Sequence, residues 1–394
     1  MYFTNSSLQV TIFKDLVTLA DPTSAFSFVS YLHEKGKIYH FLNAQFESVP
    51  RREFRNYLEW ASDRNENINF GEAVLNVGFD GHFVVETEKR MVRAQNIAVG
   101  VGTEPDIPAF AHAHLGPTHI HVSEFGDKAK SLEYKSVAII GGGQSGAEAF
   151  LDAISQPRKR APSHITWISR RENFCPLDDS SFTNDYFTPS HSEFFFEQDL
   201  QFRKSFIEKN IAASDGISER TIRNIYQRLY TMMFIEERPE VATLMPGRRV
   251  DSVRHDGRQW VLHMVHTVSN SEEIVYADVV IWASGFRGAR MGFLDALSSR
   301  LDYEEDEVRI NENFAAVWDG PTDRRIFMLN AARRQRGLPE RNLSLMAWRS
   351  QRVLEMLQGG RADRGVQAAP FLTWPAMVPP WRYSRKPYEG TGNG

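Results

Sequence analysis

Gly141, Gly143 and Gly146 stand at G-x-G-x-x-G spacing within "KSVAIIGGGQSGAEAF", residues 135–150. Glycine at these positions permits a tight turn, a close approach of phosphate to backbone, and close packing of helix on strand. The apolar run before them predicts a buried strand, and the residues after them a helix whose N-terminus attracts phosphate. Gln144 and Ser145 fall between the second and third glycines and join the expected dinucleotide contacts. The next predicted strand, "HITWIS", runs into Ser169, Arg170 and Arg171, with no acid before Glu172. An acid here would take a ribose 2′-hydroxyl, whereas an arginine forks onto a 2′-phosphate. NADPH is therefore expected over NADH; the competing reading is a glycine-rich structural turn followed by two solvated arginines.

Two further strand ends have a related build, "IAVGVGT" at 97–103 and "IWASGF" at 281–286, the second containing Gly285. Small residues there let a bulky ligand lie against the backbone, although ordinary strand-to-loop turns read the same way. His119 and His121 alternate in "THIHV" without an acidic or cysteine cluster beside them, so a structural role is expected rather than a metal site. The single cysteine, Cys175, leaves neither a dithiol nor an intrachain disulfide and suits a reducing compartment.

The elements that must position these residues follow from pattern. The 394 residues suggest two or three domains, and a net charge of −4 argues against a nucleic-acid or anionic-membrane partner. Residues 1–60 read as mostly helical, 73–102 as short strands, and 106–134 as a linker rich in Pro, His and Gly. Strand, turn and helix occupy 135–155, and helical material fills much of 172–240. Strands return at 259–267 and 277–283, and "LSLMAWRSQRVLEMLQ" reads as the last helix. Alternating strands and helices make the class α/β. No secretory signal or membrane-length apolar run is present in the sequence, so a cytoplasmic protein is expected.

Seven blocks in order extend the reading: "LQVTIFKDLVTLADPTSAFSFVSYLHEKGKIYHF", "RREFRNYLEWA", "VAIIGGGQSGAEAF", "DDSSFTNDYFTPSHSEFFF", "SDGISERTIRNIYQRLY", "IWASGF" and "NLSLMAWRS". Together they resemble the flavin-dependent lysine/ornithine N-monooxygenases of siderophore biosynthesis. The resemblance implies two Rossmann-like dinucleotide-binding domains, one for FAD and one for NADPH, in the class B flavoprotein monooxygenase architecture. It implies a first part of the FAD domain at 1–133 and an NADPH domain at 134–284 with a helical substrate segment at 178–240. The second part of the FAD domain then falls at 285–369, before an irregular tail at 370–394. Family members open with a G-x-G-x-x motif for FAD that the given sequence lacks, so its glycine turn corresponds to the family's second. A start placed too late is the expected cause, with a true truncation as the alternative.

By the same resemblance, NADPH reduces FAD, O2 gives a flavin hydroperoxide, and the substrate amine becomes a hydroxylamine without a side chain assigned as acid or base. Lys14 matches the lysine that pairs with the substrate α-carboxylate, and Gln9 a glutamine near the flavin. Asn184 matches a substrate-contacting asparagine. Asp215 stands where ornithine enzymes carry asparagine, which favours lysine. Ser344 matches a serine at the flavin and substrate edge, its neighbours Leu343 and Leu345 read equally as cofactor contacts or plain core, and Gly285 marks a crossing between domains. Arg336 departs from the family, replacing a histidine in "THG". The implied activity is L-lysine N6-hydroxylation, with cadaverine, putrescine or L-ornithine as alternative substrates and a homotetramer as the implied assembly. A reading of another class is a non-catalytic remnant that binds NADPH without FAD.

Overall fold

A computed structural model describes residues 8, 11–46, 48–128, 132–359 and 371–375. Five parallel strands form its largest sheet, in the order His119–His121, Val279–Trp282, Ser136–Ile140, His164–Ser169 and Ala242–Pro246. Successive side chains of a strand face opposite ways, and both faces here are covered. Val137, Ile139, Ile165, Trp167, Val279 and Ile281 meet helix Gln144–Ile154 and helix Glu219–Tyr230 on one side. Ala138, Ile140, Ile168, Val280 and Trp282 meet an antiparallel sheet on the other, through its Trp260, Leu262 and Met264. That covering sheet comprises Arg248–His255, Trp260–His266 and Glu272–Ala277.

The region read as a linker contains the edge strand His119–His121, which corrects that expectation. Both histidines are buried: His119 accepts a hydrogen bond from Trp282 Nε1, and His121 Nε2 lies 3.2 Å from the Gly285 carbonyl. Burial, with His114 adding to it, pushes the His119 imidazole down to about 4, which keeps it a neutral acceptor.

A second core joins the antiparallel meander Val74–Phe79, Phe83–Thr87 and Met91–Ala94 to the parallel pair Ile97–Val99 and Ile326–Met328. The chain leaves this body through Thr103–Pro105 and returns through Phe286–Gly288, and these two crossing strands pair with each other antiparallel. A third cluster is aromatic. Helices Phe28–Glu34, Ile38–Ala44 and Arg51–Asp63 bury Phe28, Tyr31, Tyr57 and Trp60 against one another. The mixed spacing at 26–41 resolves into two short helices because Gly36 turns the chain at φ +67°.

Candidate active site

The glycine turn has the geometry its spacing demands. A Cβ on Gly141, whose φ is +136°, would sit 2.1 Å from the Ala283 carbonyl oxygen, and one on Gly146 would sit 2.1 Å from that of Gly141. Gly143 differs, since its Cβ would come no nearer than 3.7 Å to any neighbour, the Asp215 carbonyl. The space over Gly143 is therefore open where a pyrophosphate would approach the helix N-terminus. Gly142 is a requirement that the motif spacing did not single out: a Cβ there would meet Ser169 Oγ at 2.2 Å. Beneath the turn, Trp167 donates to the Gly141 carbonyl (2.9 Å) and stacks on Phe174 at 3.8 Å between ring centroids.

Beyond the turn the expected contacts separate. Arg170 is exposed and forms no ion pair with a described residue, which leaves its guanidinium available to a phosphate. Arg171 instead donates to the Asp215 carbonyl (2.9 Å), and buried Ser169 accepts from the Arg171 amide. Gln144 is engaged within the protein: its Oε1 accepts from Ser218 N (2.8 Å) and its Nε2 donates to Glu148 and Thr221. These bonds fix the start of helix Glu219–Tyr230 against the glycine turn. Ser145 is half-buried beside it.

Lys14 belongs to a loop: residues 11–27 form turns and bends, which corrects the expectation of mostly helix there. The buried carboxylate of its neighbour Asp15 accepts from the amides of Val17, Thr18 and Phe28, and from the Thr18 hydroxyl. Tyr57 holds the same loop, accepting from Leu16 N and donating to the Phe26 carbonyl (2.7 Å). So placed, the Lys14 ammonium lies 5.9 Å from the centre of the Phe187 ring and forms no ion pair with a described residue. Burial lowers its pKa from the ordinary lysine value.

Phe187 packs with Ala213 and Leu338 in a small apolar cluster. That cluster gathers the neighbourhoods of Lys14, of Asn184 three residues before Phe187, and of Asp215 two residues after Ala213. Asn184 is exposed and donates to the Asp179 carbonyl (2.8 Å). Asp215 Oδ2 accepts from Arg333 Nη2 (3.0 Å) and from the Ser214 hydroxyl (2.6 Å).

The profile of a family described as L-lysine 6-monooxygenase/L-ornithine 5-monooxygenase matches residues 1–288. The chain belongs to this family. It is 35% identical to the L-lysine N6-monooxygenase of Escherichia coli over 356 residues, covering 89% of this chain and 83% of that one. The rhizobactin siderophore biosynthesis protein RhbE of Rhizobium meliloti is 30% identical over 382 residues, covering 93% and 84%. In three dimensions the chain superposes with a TM-score of 0.87 on DfoA of Erwinia amylovora, a cadaverine monooxygenase solved bound to FAD. That match is 23% identical in sequence and covers 95% of this chain and 88% of DfoA. The shared fold is the α/β architecture of flavin monooxygenases.

Other residues picked out by likeness to the lysine/ornithine monooxygenases take varied places. Ser344 is buried in the 3-10 turn Leu343–Leu345, with its hydroxyl and amide both donating to Asn342 Oδ1. Leu345 packs into the second core and Leu343 against the aromatic helical cluster, so this turn joins two bodies. Gly285, at φ +94°, lies at the crossing strands and accepts from Asp106 N (3.0 Å). Gln9 lies outside the described residues.

Arg336, the departure from the family pattern, is buried between the rings of Phe196 (4.0 Å) and Phe314 (4.5 Å). It donates to the carbonyls of Asn311 and Glu312, and burial brings its pKa down to about 10. It thus holds helix Arg333–Arg336 to the loop at 311–312. Sequence reasoning also missed Gly216, where a Cβ would sit 2.3 Å from Leu177 Cα, and Arg333.

Proposed function

We propose that this chain hydroxylates the side-chain amine of L-lysine, using NADPH, FAD and O2, for hydroxamate siderophore assembly in the cytoplasm. Family membership and 35% identity to an L-lysine N6-monooxygenase support the reaction class. The observation that carries the substrate is Lys14, a half-buried ammonium beside Phe187 with no carboxylate partner among the described residues. A cation withdrawn from water without a counter-ion is unfavourable unless a ligand supplies one. The α-carboxylate of an amino acid meets that need, and a diamine has none.

The residues present fit NADPH. Gly141 and Gly146 close the turn and Gly143 leaves room for the pyrophosphate, while exposed Arg170 stands ready for the 2′-phosphate. For FAD, the fitting features are the crossing strands at 103–105 and 286–288 and the turn Leu343–Leu345, which would border the flavin. Bound FAD, once reduced, supplies with O2 the oxygen atom that the amine receives. The protein's own part is to hold the amino acid by its carboxylate at Lys14, with Asn184 and Ser344 bordering the pocket. It must also favour the neutral side-chain amine, whose lone pair attacks, by keeping it out of water. We assign the parts of the chain accordingly: FAD at 1–133 and 285–369, NADPH at 134–284, substrate segment at 178–240.

The test is hydroxylamine formation by the purified chain with FAD and NADPH, comparing L-lysine, L-ornithine and cadaverine, with retained flavin read after desalting. Product with lysine above the other two supports the proposal. Preference for cadaverine or ornithine overturns the substrate, and NADPH binding without flavin or product overturns the activity of this chain.

A further inference from the structure

Asp215 carries a negative charge into the neighbourhood where Lys14 is assigned to receive a carboxylate. Left alone, that charge would repel an amino acid's α-carboxylate and attract the second ammonium of a diamine. It is not alone. Arg333 Nη2 lies 3.0 Å from Asp215 Oδ2 and 3.0 Å from Ser214 Oγ, and Ser214 Oγ in turn donates to the carboxylate. Arg171 holds the carbonyl of the same residue, so both ends of Asp215 are fixed by cations. Arg341 is within electrostatic reach of both Arg333 and Asp215, and Glu307 and Glu340 are the other acids facing it. Among the described residues, four cations, Lys14, Arg171, Arg333 and Arg341, therefore stand against three acids, Asp215, Glu307 and Glu340, around this end of the site.

We propose that Arg333 is a specificity-determining, positioning residue: by pairing with Asp215 it keeps the amino-acid end of the pocket cationic and selects amino acids over diamines. This rests on the lysine reading above. Arg333 acts through Asp215 and is not assigned a contact to substrate. Its position suits the role, because helix Arg333–Arg336 is pinned from behind by buried Gln335 and Arg336. The Asp215 side chain is 41% exposed, which screens the charge and keeps the expected effect moderate. At an effective dielectric near 20, unmasking one charge several ångströms from a ligand charge changes affinity by roughly tenfold or more.

The experiment measures equilibrium binding of L-lysine and cadaverine, with FAD and NADP+ supplied, to wild type, Arg333→Gln, Arg333→Lys and the double variant Arg333→Gln/Asp215→Asn. Arg333→Gln should move the cadaverine-to-lysine affinity ratio about tenfold toward cadaverine. Arg333→Lys should keep most of the wild-type ratio, and the double variant should return most of the way, since it removes the unmasked charge. Equal weakening of both ligands in Arg333→Gln, or no return in the double variant, overturns the role of Arg333. A wild type that prefers cadaverine overturns the lysine reading, while a further shift in Arg333→Gln would still support Arg333. Binding of neither amine by the wild type overturns both.

Discussion

Lys14 and Asp15 are sequence neighbours with opposite tasks. The Asp15 carboxylate spends its acceptors on three backbone amides and a hydroxyl, including the Phe28 amide at the start of a helix. Lys14 is left with its ammonium half-buried and without a carboxylate partner among the described residues. Replacing Lys14 with Ala should therefore raise KM for L-lysine roughly 10- to 100-fold, the scale of a charge-assisted hydrogen bond of about 1.5–3 kcal/mol, with little change in kcat. Cadaverine kinetics should not respond. The pH dependence has a definite sign. Burial lowers the pKa of Lys14, so its positive charge, and the carboxylate affinity it brings, is lost on raising pH before an exposed lysine would titrate. The ratio of variant to wild-type KM is expected to be largest near neutrality and to fall toward one in alkali. A ratio that stays constant across that range would remove Lys14 from carboxylate binding.

Among the elements, strand, turn and helix at 136–154 were legible because local pattern and local geometry agree: an apolar run, three spaced glycines, an amphipathic helix. The first two strands of the meander, Val74–Phe79 and Phe83–Thr87, were legible from their apolar runs, whereas the short, exposed Met91–Ala94 was not. The strand His119–His121 was not, since three residues with two histidines give no period to read, and its burial comes from the neighbouring strand and Trp260. Asp215 was read from its family position as a substrate contact. Its partner Arg333 lies 118 residues away, a pairing that nothing local announces. The glycines of the turn also divide by cause, which gives a contrast to measure. Gly146→Ala drives a Cβ into a backbone carbonyl at 2.1 Å, so it should cost several kcal/mol of stability, as severe overpacking does. Gly143→Ala meets nothing nearer than 3.7 Å, so its melting temperature without ligand should stay within a few degrees of wild type. Its NADPH affinity should nevertheless fall about tenfold or more, because the methyl group takes the space of the pyrophosphate. Unchanged NADPH binding by Gly143→Ala would mean that the turn serves packing alone.

Across the whole molecule, the cores are separate clusters joined by the crossing strands, the turn at 343–345, the Asp215–Arg333 and Arg203–Glu304 pairs, and the packing of Phe187 on Leu338 and of Phe196 on Arg336. The second body has its own internal lock. Arg349, on helix Met346–Gln358, pairs with Glu340 at 2.8 Å, both side chains being almost wholly buried, and reaches Asn330 Oδ1 at 2.6 Å. One guanidinium thus ties the last long helix to the turn before it and to the end of strand Ile326–Met328. Glu340→Gln would leave that arginine without its counter-charge, a loss on the order of 3–5 kcal/mol for a buried pair broken on one side. NADPH, assigned above to the other body, would stabilise only what it binds, by about 2.7 kcal/mol at a hundredfold excess over Kd. Calorimetry should therefore resolve two unfolding transitions, one lowered by Glu340→Gln and the other raised by NADPH. The order in which they melt need not be known for the test to work. If the substitution and the nucleotide move one and the same transition, the bodies unfold as a single cooperative unit. The connections between the cores would then be strong enough to carry strain from the Glu340 lock to the glycine turn.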